Sequence, residues 1–425
     1  MLDIKFIREN TDKIRKGAKD KRNNFDLDRL LALDLEIKPL QMSWESMQAE
    51  RNALSKTIGA AAPADREPLK AKVADIKTQM DSLTTQLTAK KEEFDGLMLL
   101  VPQPARDDVP VGKDDSENIE VRTWGTVPTF DFKLKDHAVL GEELGIIDSP
   151  RGVKIAGSRS YVLKGDGARL EQAVLRFTYD FLVSRGYTAM QIPVLVTEDC
   201  MTGTGYFPTG REQAYFVEKD NLALVGTSEV PLTSYHSNEM LKDSELPIRF
   251  MAQSTCFRRE AGTYGKDTSG LYRVHQFQKI EQVIIGPNDP KASEKLHDEL
   301  VGNAEAILQA LELPYRVVYV CTGDLGQGQL RKHDIETWMP SRNAYSETHS
   351  CSSFHEFQSR RLQLRYKDKD NNKFYCHTLN NTAIATPRVL IPLLEMYQQK
   401  DGTIRVPKVL VPYMAGTTVI GAKKS

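Results

Sequence analysis

Phe257 to Ile285 reads FRREAGTYGKDTSGLYRVHQFQKIEQVII. Two segments with strand-like alternation flank a polar loop holding Gly262, Gly265 and Gly270, which predicts an antiparallel hairpin with a long mobile tip. Residues two apart in a strand share a face, so Arg258 and Glu260 are expected together on the first strand, and Arg273, Phe277 and Glu281 on the second. Two guanidinium groups, two carboxylates and a ring on one concave surface suit a nucleoside triphosphate and an amino acid. Arginine forks take phosphate oxygens bidentately, the ring stacks on a base, and a carboxylate pairs with an ammonium. The same charges would also suit a solvated edge hairpin, protected against edge-to-edge association.

Downstream, FYCHTLNNTAIATPRVLIPLLEMYQ reads as a strand that enters a helix at Thr386, Pro387 and Arg388. That helix is apolar nearly all round (Val389, Leu390, Ile391, Leu393, Leu394, Met396), the pattern of a buried helix. Arg388 in its first turn would be an interior cation, held either by an internal salt bridge or by a phosphate. Between the two lies the polar run YSETHSCSSF, Tyr345 to Phe354, where Glu347 and Ser350 offer hard oxygen ligands of the kind Mg²⁺ shares with substrate phosphates. A plain surface loop is the competing reading of that run.

Upstream the periodicity changes. Leu30, Leu33, Ile37, Leu40, Trp44, Met47, Leu54 and Ile58 form a heptad seam from Leu27, with Arg51 in the missing seam position. After a breaker at Gly59 to Asp65, a second seam runs through Leu69, Val73, Ile76, Met80, Leu83, Leu87, Phe94 and Leu97, interrupted at Lys90. This predicts two long helices folded back as an antiparallel coiled-coil hairpin projecting roughly 45 Å, with a kink or weakened turn at Pro39. Its outer face carries Arg51, Lys56, Lys70 and Lys77 among acids, and by its own residues it suits a dimerisation or spacer coil as well as RNA. A denser basic stretch, Lys13 to Arg22, precedes it. The heptads stop near Leu100, and VPQPARDDVPVGKDDSEN reads as a linker. Beyond it strand-like runs such as YFVEKDNLALVG mix with amphipathic helices such as Pro290 to Leu311, capped by Asp289, an α+β pattern.

With 425 residues, 40% hydrophobic and 27% charged, the chain has the size of two or three globular domains. A formal net charge of −1 exerts no global pull on nucleic acid, so RNA binding would rest on local patches. No apolar run approaches the roughly 20 residues of a membrane helix. The start, MLDIKFIREN, has no signal-peptide core, and a cytoplasmic protein is the simplest reading. Cys200, Cys256, Cys321, Cys351 and Cys376 have no paired spacing and are expected to be reduced. His349, Cys351 and His355, with Cys376 and His377, match no zinc module.

Several of these stretches resemble one family. Phe257 to Ile285 is similar to motif 2 of class II aminoacyl-tRNA synthetases, the segment about 378–398 ending its strand in TPR to motif 3, and GYTAMQIPVL, Gly186 to Leu195 with Pro193, to motif 1. Within that class the heptad hairpin, GTSE at Gly226 to Glu229, RVHQF at Arg273 to Phe277 and the ending VPKVLVPYM resemble the bacterial seryl-tRNA synthetases. The resemblance spans essentially the whole chain. It implies a tRNA-binding domain at 1–105 with its arm at about 27–100, and a catalytic domain at 106–425 built on an antiparallel sheet flanked by helices. It implies an ATP-dependent, AMP-forming ligase that charges serine tRNA, with selenocysteine tRNA as a further possible acceptor, working with Mg²⁺ as a homodimer. Arg258 would bridge the α-phosphate and the serine carboxylate, Glu260 would accept from the adenine amino group, and Phe277 would stack on adenine opposite Arg388. Arg273 would hold the γ-phosphate, Val274 would line the ATP site, and Glu347 and Ser350 would take Mg²⁺. Thr227 and Glu229 would belong to the serine loop, Glu281 would pair with the serine ammonium, and Asn380 and Thr382 would close the serine pocket. Arg51, Lys56, Lys70 and Lys77 would meet tRNA. The pattern departs at Asn380 to Ala383 (Asn-Asn-Thr-Ala for Asn-Gly-Ser-Gly), at Tyr206 to Arg211 and at His349, which puts substrate affinity in question. A relative that loads a carrier protein would lack the arm, and a non-catalytic RNA-binding paralogue would have lost some of Arg258, Arg273, Glu281, Glu347 and Arg388.

Overall fold

The computed structural model describes residues 1–262 and 270–421, which form two compact units, Met1–Pro102 and Gln103–Ser425. The first is dominated by α1 (Leu27–Ala60) and α2 (Pro63–Leu100), packed as a hairpin. Asp26 caps α1 by accepting from Arg29 N, and Pro63 stands at the first turn of α2, where a missing N–H leaves nothing unpaired. The seam residues are buried or half-buried, with Leu30, Leu33, Ile76, Met80 and Leu87 the most enclosed.

One expectation for this unit needs correction. The breaker is narrower than its composition implies: α1 runs through Gly59 and Ala60, and only Ala61 and Ala62 separate the helices. Pro39 lies inside α1, which spans it without a break. Cross-helix polar contacts hold both flanks: Arg29 forks onto Glu93 at 2.6 Å, Lys90 meets Glu36, and Trp44 Nε1 donates to Thr84 at 3.0 Å. The Lys90 that interrupts the seam is therefore a paired residue.

The second unit is built on eight strands, here β1 (Ile119–Trp124), β2 (Thr188–Ala189), β3 (Ile248–Phe257), β4 (Gln276–Gly286), β5 (Tyr315–Tyr319), β6 (Arg331–Met339), β7 (Ala344–His355) and β8 (His377–Thr386). Their order is β1-β5-β6-β7-β8-β4-β3-β2, antiparallel throughout except for the β2–β3 pair. Two helices, α3 (Asp166–Ser184) and α4 (Pro290–Ala310), cover one face. Leu170 and Val174 of α3 and Leu300, Ala304 and Ile307 of α4 pack there against Ile280, Ile284, Ile335 and Leu379. Asp289 caps α4 as the sequence predicts, accepting from Lys291 N. The other face is apolar only in part: Val283, Ile285, Phe250 and Ala252 meet Leu232 and Leu362. The rest of that face is polar, and alternation makes it so: Lys279 and Glu281 on β4, Asn380 and Thr382 on β8, Ser350 and Ser352 on β7, Lys332 and Asp334 on β6.

The segment read as a linker is packed. Gln103 N donates to Gln327 O and Arg106 N to Leu330 O, and Val109 joins Val320 and Leu325 in a small cluster. Its prolines break regular structure without freeing the chain from the unit's surface. The run Tyr345 to Phe354 is no surface loop either, since β7 lies in the middle of the sheet. All five cysteines are free.

Candidate active site

The connection between β3 and β4 leaves the sheet sooner than alternation predicts. β3 ends at Phe257 and β4 starts at Gln276, so Arg258, Glu260 and Arg273 sit in irregular backbone rather than on strand faces. The chain bends there because Glu260 takes φ 52°, left-handed and uncommon outside glycine. That bend turns its side chain toward Arg273 Nη1, 3.4 Å away. Gly270 has φ 76°, and a Cβ on it would come within 2.5 Å of His137 Nε2. Residues 263–269, the expected tip with Gly265, lie outside the described residues.

Alternation does hold inside β4. Phe277 and Glu281 share the polar face, and Lys279 stands between them, a residue the same periodicity points to but the motif reading passed over. Lys279 Nζ pairs with Glu281 and donates to Thr227 Oγ1 at 2.6 Å and to Thr382 Oγ1 at 3.5 Å. Thr382 is the register partner of Glu281 across β8 and β4. The carboxylate expected to await an ammonium is thus engaged by an internal cation, both groups being buried. Asn380 lies on the same face of β8, paired in register with Ser352.

Glu229 opens a short helix, Glu229–Ser234, with its carboxylate sealed in. Tyr206 Oη and Gln358 Nε2 both donate to it at 2.7 Å. Burial, reinforced by the neighbouring Glu281, pushes its pKa up to about 7. Tyr206 belongs to the segment whose sequence departs from the family pattern, and it replaces solvent around Glu229.

On β7, Glu347 and Ser350 are three residues apart, which ordinary alternation would put on opposite faces. A register shift prevents that: Asp334 pairs with Ser350 and Ile335 with His349, but Glu336 pairs with Glu347. The extra residue of the bulge brings Glu347 back to the face of Ser350. Arg388 Nη1 donates to the Glu347 backbone oxygen at 3.1 Å and lies 3.7 Å from its carboxylate. Crowding by protein atoms opposes ionisation of Glu347, whose side chain is still 48% exposed, but Arg388, then Lys332, Arg258 and Arg273, hold its pKa below the ordinary carboxylate range. His349 points away into the core, where burial lowers it to about 4, and its neutral ring bonds Thr348 Oγ1 at 2.8 Å. That removes any added charge from the departure at this position.

Arg388 is not the interior cation of a helical first turn. The helix after β8 spans Leu390–Met396, so Arg388 precedes it, with its side chain 22% exposed. It lies over the Tyr272 ring at 4.4 Å, while Arg258 lies over Phe277 at 5.2 Å. The apolar helix is buried as expected; its cation is at the mouth of a cleft.

That cleft is lined by Arg258, Glu260, Arg273, Val274, Phe277, Lys279, Glu347, Thr382 and Arg388. A neighbouring hollow shares Arg258, Glu260 and Arg273 and is closed by Tyr206 and Gly226. Ser350, Asn380, Thr227 and Glu229 surround the cleft rather than line it. Cations, a ring and hard oxygen donors therefore converge from β4, β7, β8 and the loops at their ends. On the arm, Lys56, Lys70 and Lys77 are exposed, Lys70 beside Glu67, and Arg51 is half-buried at the seam.

Comparison with known proteins gives this geometry a family. The seryl-tRNA synthetase N-terminal domain matches residues 1–104, and the class II tRNA synthetase core domain (G, H, P, S and T) matches residues 215–397. A serine–tRNA ligase of Deinococcus radiodurans is 47% identical over 421 residues, 99% of each chain. The chain belongs to the seryl-tRNA synthetase family. Its fold matches the Pyrococcus horikoshii seryl-tRNA synthetase complexed with ATP at a TM-score of 0.90, 36% identity and 99% coverage of both chains. It matches the cytoplasmic serine–tRNA ligase of Naegleria fowleri in complex with AMP at 0.85, with 30% identity over 100% and 99% of the two chains. The family and the fold drawn from the motifs are both borne out.

Proposed function

We infer that this chain is a serine–tRNA ligase that activates serine with ATP and transfers it to the 3′ end of serine tRNA. The observation that carries the chemistry is the cleft in which Arg258, Arg273 and Arg388 converge on Phe277 and Glu347 beside the Thr227–Lys279–Glu281–Thr382 cluster. The first set suits a nucleoside triphosphate, the second the amino and hydroxyl groups of a small amino acid. Adenylation needs orientation and charge neutralisation rather than a nucleophile and base: the serine carboxylate attacks the α-phosphorus in line and pyrophosphate leaves.

In this reading Arg258 spans the α-phosphate and the serine carboxylate, Arg273 holds the γ-phosphate, and the base lies between Phe277 and Arg388 with Glu260 and Val274 at its edge. Arg258 and Arg388 leave the rings they now cover to do so. Glu281, with Thr227, takes the serine ammonium, which competes with Lys279 for the carboxylate. Thr382 reads the serine hydroxyl, with Asn380 and Glu229 behind it. Glu347 and Ser350 fit Mg²⁺, since the bulge presents two hard oxygens on one face and leaves the other positions to phosphate and water. Bound there, the ion would neutralise charge on the triphosphate. The arm takes the tRNA through Arg51, Lys56, Lys70 and Lys77. Assembly as a homodimer in the cytoplasm belongs to the same reading, and among the described residues no helix is long and apolar enough to cross a membrane.

Exchange of pyrophosphate into ATP across a panel of amino acids tests it. Serine supports exchange far better than glycine, alanine or threonine, because a hydroxyl partner in the pocket disfavours analogues that leave it unpaired. Equal exchange with alanine contradicts the role of Thr382.

A further inference from the structure

Asp334, a charged group on the polar face, is used neither by these roles nor by the core. Asp334 on β6 is 4% exposed; its Oδ2 lies 3.1 Å from Lys332 Nζ, and its Oδ1 makes no well-formed hydrogen bond among the described residues, the neighbouring Ser350 side chain being at most a weak donor to the carboxylate. Buried carboxylate oxygens are rarely left so weakly satisfied, and one that is has room for a further donor. Register says where the donor would come from. Asp334 pairs directly with Ser350, and the bulge sets Glu347 on the same face one pair along.

We propose that Asp334 is a positioning residue for the divalent cation that accompanies ATP, its Oδ1 accepting from a metal-bound water beside Ser350. This rests on the assignment of that cation to Glu347 and Ser350. Mg²⁺ keeps several waters when it shares phosphates, and carboxylates behind the ligands orient those waters. Lys332 fixes the other oxygen of Asp334 and leaves Oδ1 to the site. The competing role is plain counter-ion to Lys332, which has a second carboxylate, Asp324, at 3.7 Å.

The experiment measures Mn²⁺ bound in the ternary complex of the full-length protein with a non-hydrolysable ATP analogue, by electron paramagnetic resonance. Asp334→Asn weakens Mn²⁺ by about 10- to 100-fold, raises the Mg²⁺ needed for half-maximal exchange in proportion, and recovers its rate at saturating Mg²⁺. Asp334→Glu, which keeps a charge for Lys332 but moves the oxygen, also weakens Mn²⁺, and it stands in should the asparagine variant fail to fold. Asp324→Asn leaves Mn²⁺ affinity unchanged. Parent-like Mn²⁺ affinity in both Asp334 variants overturns the proposal whatever happens to melting temperature. If Glu347→Gln weakens Mn²⁺ while they do not, only the role of Asp334 falls; if Glu347→Gln has no effect either, the cation assignment falls and takes the proposal with it.

Discussion

Arg388 meets Glu347 and Tyr272 at the mouth of the cleft, and each contact is of a kind that contributes little to stability when partly open to solvent. Arg388→Ala is therefore expected to melt within a few degrees of the parent while serine-dependent exchange falls by at least about 10²–10³-fold. Near-normal exchange with a much lower melting temperature would return Arg388 to a structural salt bridge. Glu229 gives a pH signature. Its folded pKa of about 7 stands above the ordinary 4.5, so the unfolded chain ionises first as pH rises and stability falls until pH passes 7. The shift corresponds to ~3 kcal/mol. Glu229→Gln lacks this dependence, so its stability relative to the parent should rise by roughly that amount between pH 4 and 8; denaturant titrations that run parallel across the range would refute it. That the three arginines meet at one cleft was legible because Arg258 and Arg273 share one motif and Arg388 closes another. Lys279 was not, because a lysine two residues from a glutamate on a buried face looks like one more strand charge until the fold removes water from both. Asp334 was invisible for the same reason: nothing in KHDIETW says which of its charges faces a site.

At the scale of elements, the coiled-coil arm was readable residue by residue, since seam positions are set by periodicity alone. Turns in register were not. That Glu347 and Ser350 share a face depends on a single extra residue in β7, and that Arg388 precedes its helix depends on where β8 releases the chain. Both are decided by tertiary pairing rather than by local pattern. The continuity of α1 through Pro39 is a similar case, because packing against α2 overrides one unfavourable residue. Pro39 removes an N–H donor inside α1, so Pro39→Ala should stabilise the helix by up to ~3 kcal/mol and slow amide exchange in the turn around Leu35. Serine-dependent pyrophosphate exchange should not change. Faster amide exchange in that turn would mean that the proline shapes a bend the arm needs.

For the whole molecule, the division at Pro102 and Gln103 separates two tasks in the proposed reading. The seam residues bury against one another, so replacing residues 27–100 by a short linker should leave the second unit folded and its pyrophosphate exchange close to the parent level. Affinity for serine tRNA should collapse, and its dependence on salt should become shallower, because phosphate contacts carried by the arm are gone. Normal charging by the armless protein would make the arm a spacer, and loss of both reactions would make it part of the fold. The most direct test of the central claim is made on the full chain: incubation with ATP, radiolabelled serine and serine tRNA, followed by recovery of the tRNA. The predicted result is serine esterified to the 3′ terminal ribose with one AMP formed per serine transferred. Formation of seryl-adenylate with no label on the tRNA would contradict it.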